Sequence, residues 1–100
     1  MEGVQVEVFW IPAAAGGRSR LPDSSVYSTV SRWPDQTDEE WSRAAWSVVL
    51  ECDPPPAKQG NPTLGKARFL ADGCPADLLS PGRVFGMYEG RRKVADVRVV

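Results

Sequence analysis

The sequence predicts an all-β domain. The clearest signal lies in residues 81–100. Val84-Phe85-Gly86-Met87-Tyr88 and Val94-Ala95-Asp96-Val97-Arg98-Val99 flank Glu89-Gly90-Arg91, which reads as strand, tight turn, strand. Gly90 can take φ > 0 there without steric cost. Valine outnumbers leucine, and β-branched residues suit the pleated surface of a sheet. Nine glycines and nine prolines punctuate the 100 residues, as a domain of short strands and many turns requires.

Each element follows in order. Val4, Val6, Val8 and Trp10 alternate with Gln5, Glu7 and Phe9, the period of a half-buried strand. Pro12 ends it. Ala13 to Gly17 reads as a small-residue turn, and Arg18 to Asp23 as loop. Val26 to Val30 has the composition of a second strand, broken by Trp33-Pro34-Asp35. Thr37 with Glu40 three residues on forms a capping box, and the acidic first turn suits the helix dipole. A short helix over 38–45 follows, with Trp41 and Ala45 sharing its inner face at i, i+4. An extended insertion is the competing reading. Trp46 to Glu51 is a strand, stopped by Asp53-Pro54-Pro55-Pro56 because proline donates nothing to a ladder. Residues 54–63 read as a long loop with polyproline character, either an ordered connector or an SH3-type ligand. Leu64 to Leu70 alternates, with Ala67 and Phe69 inward and Leu64, Lys66 and Arg68 on the other face. In the connector that follows, Leu78 and Leu79 are expected to plug one end of the core.

Composition narrows the function. The chain is one domain by length, with 42% apolar residues and four tryptophans, enough for a modest core without staples. Twelve basic and 13 acidic residues leave a net charge of −1, so no overall field draws it to nucleic acid or anionic membrane. Acidic residues gather in the middle, basic ones at the end. No run approaches the roughly 18 apolar residues of a membrane helix. No secretory signal is legible, so the reducing cytoplasm is the expected compartment and Cys52 and Cys74 are expected to be free thiols. There is no histidine. That removes Ser-His-Asp and Cys-His nucleophile systems and a four-ligand Cys/His zinc site. Asp38, Glu39 and Glu40 fit solvated capping charges better than a catalytic carboxylate pair. The chain is therefore read as a non-enzyme with no cofactor and no metal.

Two separated pieces resemble one family. Pro81-Gly82-Arg83-Val84-Phe85 and Tyr88-Glu89-Gly90-Arg91-Arg92-Lys93-Val94-Ala95 resemble the C-terminal hairpin of elongation factor Tu domain III. Val6-Glu7-Val8-Phe9 and Gly16-Gly17-Arg18 resemble its first strand and Gly-Gly-Arg loop. The resemblance implies an antiparallel Greek-key barrel of about six strands, spanning residues 1–100, with Asp35 to Ala45 as an insertion. No phosphate loop is present, so no nucleotide is expected. In the family the two motifs lie near the backbone of bound tRNA. The matching positions here are Gly17, Arg18, Glu89 and Gly90, and Arg20, Arg91, Arg92 and Lys93 extend them into a cationic rim able to touch phosphates without reading bases. The leading expectation is a non-catalytic module that binds another protein, with Trp33 and Trp41 as interface aromatics. Weak tRNA or RNA-backbone binding is one alternative, and a toxin-neutralising immunity-type protein another. Self-association stays open.

Overall fold

The computed structural model describes residues 3–100. Six strands form a closed antiparallel barrel: β1 (Val4–Trp10), β2 (Val26–Arg32), β3 (Trp46–Glu51), β4 (Thr63–Phe69), β5 (Val84–Glu89) and β6 (Arg92–Val99). The strand order around the barrel is β1-β4-β3-β2-β5-β6. Strands β2, β3 and β4 follow one another as neighbours, while β1 closes beside β4, which is a Greek-key connection. Alternation drives the assembly. In β1, Val6, Val8 and Trp10 are buried. Leu50, Ala67, Phe85, Met87, Val94, Ala95, Val97 and Val99 join them from the other strands. Every outward residue of β1 falls on the polar phase except Phe9, which stays exposed.

Two helices lie outside the barrel wall. The first, α1 (Asp38–Arg43), begins where the capping box places it. Thr37 accepts from the Glu40 N–H, and the Glu40 carboxylate accepts from the Thr37 N–H at 2.8 Å. It is six residues long, shorter than expected. Ala45 lies beyond it and is exposed, so Trp41 has no helical partner there. Trp41 instead donates its indole N–H to the Ser31 carbonyl at 2.9 Å.

The second, α2 (Pro56–Gln59), replaces the expected polyproline loop. Pro56 takes the first helical position, where its missing N–H costs nothing, and is buried. The triple proline therefore ends in a helix and does not run on as an exposed polyproline ligand. Two side-chain amides of this connector then act as strand surrogates. Asn61 brackets Trp10, accepting from its N–H at 2.8 Å and donating to its carbonyl at 2.9 Å. Gln59 treats Leu64 likewise, at 3.0 and 2.9 Å. Both satisfy backbone groups at strand ends that no neighbouring strand reaches.

Leu79 is buried and Leu78 packs on the core, closing one end as expected. Trp33 fills the same region, stacked on Phe85 at 4.5 Å between ring centroids.

Candidate functional site

The Gly-Gly-Arg loop and the hairpin tip meet at one end of the barrel. Past β1 the chain makes a 3-10 turn over Ala13–Ala15, and Gly16 closes it with φ 91°. Gly17 then crosses Ile11 so closely that a Cβ would sit 1.7 Å from the Ile11 carbonyl oxygen. Its role is thus close backbone approach. Arg18 N–H donates to that same oxygen at 3.1 Å, which aims the arginine side chain across the barrel end. At the hairpin tip Gly90 adopts φ 64°, the left-handed conformation the two-residue turn demands.

Glu89 is the hub between them. Its carboxylate accepts from the Arg18 guanidinium and from the Tyr27 hydroxyl, and Arg92 adds a third bond at 3.2 Å. Arg18 also lies over the Tyr27 ring, 5.4 Å from its centroid, and Tyr27 meets Trp10 edge-on at 5.5 Å. Burial alone would push the Glu89 carboxyl up, but the Tyr27 hydroxyl and the Arg18 guanidinium outweigh it and hold the group below its ordinary range. Burial and the Glu89 carboxylate push the Tyr27 hydroxyl upward. For Arg18, the bond and the charge of Glu89 outweigh burial, which alone would lower it, and raise the guanidinium.

The expected cationic rim is therefore largely engaged with its own chain. Arg18 and Arg92 are held by Glu89. Lys93 pairs with Asp96 at 2.6 Å, and Arg98, further along β6, pairs with Glu7. Among the described residues, Arg20 and Arg91 make no ion pair and are exposed. They flank the hub as uncompensated charge.

The expected interface aromatics are not free anchors. Trp33 is 1% exposed, a core residue. Its setting beside Pro34 and Asp35 reads as surface, yet the ring points inward and its indole N–H is satisfied by the Leu78 carbonyl at 3.2 Å. Trp41 is half-buried. It packs against Tyr88 at 5.0 Å and beneath the Arg32 guanidinium at 5.0 Å, so it fastens α1 to the barrel wall.

The acidic residues of α1 are likewise committed. Asp38 pairs with Arg32 at 2.6 Å, Glu39 with Arg43 at 2.9 Å, and Glu40 caps α1. Cys52 is buried and Cys74 half-buried, and both are free thiols. Burial raises Cys52, and burial with the Asp72 charge raises Cys74, the opposite of an activated nucleophile.

A surface that no motif announces lies across the barrel's outer face. An open concavity of about 860 Å³ runs over β4, β1 and β6 and reaches Val26 on β2. Val26, Leu64 and Val100 line it, 51%, 57% and 57% exposed. The signal was present in the sequence: Leu64 keeps phase with Lys66 and Arg68, an apolar residue on a polar face. No helix among the described residues is long and apolar enough to cross a membrane.

No family model matches this chain, and no curated protein matches it.

Proposed function

We propose that the chain is a non-catalytic β-barrel module, akin to a stand-alone elongation factor Tu domain III, that binds another protein in the cytoplasm. One observation carries this reading. Three of the exposed large apolar residues, Val26, Leu64 and Val100, share one concave face. Grouped apolar exposure marks binding surfaces, whereas scattered exposure is ordinary. The Glu7–Arg98 pair lies within the same concavity, giving the polar fraction that non-obligate interfaces carry. Three partner classes fit this reading: a translation component, a toxin, or a second copy of the chain. The test is affinity capture from the native lysate with wild-type protein, the double variant Leu64→Asp/Val100→Asp, and Val84→Asp as an exposed control off the concavity. Capture lost only in the double variant supports the reading. Capture equal in all three removes it.

A second reading rests on a separate observation. Among the described residues, Arg20 and Arg91 make no ion pair beside the Arg18–Glu89 hub, and such charges suit phosphate contact. Few contacts are available, so binding to tRNA would be weak and steeply salt-dependent. No tRNA binding at low salt, or binding unchanged by Arg20→Glu/Arg91→Glu, eliminates it.

A further inference from the structure

The segment between β2 and β3 does not keep to its own hairpin. Strands β2 and β3 are neighbours, and β5 lies on the far side of β2. A tight turn would join β2 to β3 directly. The chain instead leans back across β2 and reaches β5. Trp33, the first residue past β2, stacks on Phe85 of β5. Trp41 of α1 touches both strands at once. Its indole N–H donates to the Ser31 carbonyl of β2 at 2.9 Å, and its ring packs against Tyr88 of β5 at 5.0 Å. Arg32 of β2 covers the same ring at 5.0 Å and pairs with Asp38, the first residue of α1, at 2.6 Å. These contacts cross the barrel's shortest ladder, Val30 to Arg32 against Tyr88 to Gly86. Tyr88 also borders the irregularity in the β5–β6 pairing. Little else joins α1 to the wall. It has no fully buried residue. An open gap of about 390 Å³ beside it is lined by Glu40 and Arg43 of α1 and by Trp46 and Leu78 of the barrel.

We propose that α1 is a releasable strap: docking of Trp41 holds the β2–β5 seam shut, and its release lets that seam open while the other five stay paired. A helix of six residues does not persist by itself in water, so α1 keeps its form only while Trp41 is docked. The seam has few rungs of its own. Each part is weak without the other, and the indole is the contact they share. Strap and seam therefore form one cooperative unit that opens at lower free energy than the barrel as a whole. Toward the hairpin tip the same seam is fastened separately, by Thr29 on the Tyr88 carbonyl and Tyr27 on Glu89. Trp41 is thus the fastening at the end where β2 leaves the sheet. The device is internal to the chain and holds for any partner of the barrel.

The experiment is native-state amide exchange of the full chain at low urea concentrations, for the wild type, Trp41→Phe and Trp41→Ala. In the wild type, Trp41, Ser42, Val30, Arg32 and Tyr88 are expected to exchange through a separate opening, with a smaller urea dependence than the β1–β4 amides. Trp41→Ala deletes contacts that the open state has already lost. It should therefore speed exchange at Val30, Arg32 and Tyr88 about thirtyfold, the size of one aromatic pair and one hydrogen bond. Trp41→Phe keeps a ring against Tyr88 and removes only the indole donor. It should speed the same amides about fivefold, and it reports on folded protein even where Trp41→Ala is too unstable to measure. Two results overturn the inference. One is that Val30, Arg32 and Tyr88 exchange only together with the β1–β4 amides in the wild type, so that no separate opening exists. The other is unchanged exchange at those three residues in the variants, which means that the seam opens with Trp41 still docked.

Discussion

Glu89 concentrates more of the barrel end than any other side chain, because one carboxylate serves Arg18, Tyr27 and Arg92. Its folded form holds the proton less readily than the unfolded chain, whose value is near 4.5. The stability it contributes is complete above that pH and is lost as pH falls through the lower folded value. Glu89→Gln should therefore cost about 1 kcal/mol at neutral pH and flatten the acid limb of a stability–pH curve measured by urea unfolding. The two surrogate amides make a second test. Asn61→Ala strips both partners from the Trp10 backbone and is expected to cost about 2 kcal/mol, since partly buried groups are left unpaired. Gln59→Ala, on the exposed side, should cost less than about 1 kcal/mol. None of these bonds is legible locally: Arg18 and Glu89 lie 71 residues apart and Trp10 and Asn61 lie 51 apart. What the sequence does show is the pair of glycines that let those side chains meet.

The helix α1 was legible as an element because its signal is short-range. Thr37, Glu40 and an acidic first turn all lie within one turn of chain. Its length was not legible. Ala45 continues the pattern on paper, but Ala44 has already left helical geometry, with φ −145° and ψ 67°, to feed Trp46 into β3. Thr37→Ala should cost about 1 kcal/mol locally, seen as faster amide exchange at Glu40 and Trp41 with little change at β1. Trp41 and Trp33 show the opposite failure. Both sit among prolines and carboxylates, yet each is held by a partner from a distant strand, Tyr88 and Phe85. Trp33→Ala is expected to cost about 3–5 kcal/mol, the range for a deleted core aromatic.

Closure of the whole barrel depends on its shortest seam. The β2–β5 ladder has only three residue pairs, whereas β2–β3 spans Val26 to Ser31 against Glu51 to Trp46. Side chains extend the short seam: Thr29 donates to the Tyr88 carbonyl and Tyr27 reaches Glu89. Sub-global opening should begin there. Native-state amide exchange is expected to show Val30, Arg32 and Tyr88 less protected than the β1–β4 amides, and Glu89→Gln should widen the gap. On the opposite wall the strands approach without slack. A Cβ at Gly65 would lie 2.6 Å from the Cys52 sulfur and 2.7 Å from the Glu51 carbonyl oxygen. Gly65→Ala should destabilise by about 1–3 kcal/mol in the same unfolding assay.

The sequence alone determines the class of this molecule. Two-residue alternation, glycine turns and proline stops are local, and they specify six strands and their faces whatever the strands go on to touch. Its charges and aromatics are legible only as inventory. Whether Arg18 waits for a phosphate or holds Glu89, and whether Trp33 meets a partner or Phe85, depends on residues brought together from distant parts of the chain. Only closure of the barrel decides that, because burial and ion pairing depend on distance in space rather than along the chain. The same closure ends the β2–β5 ladder at Val30 and Tyr88, although β2 itself runs from Val26, an offset that no pattern in the sequence reveals.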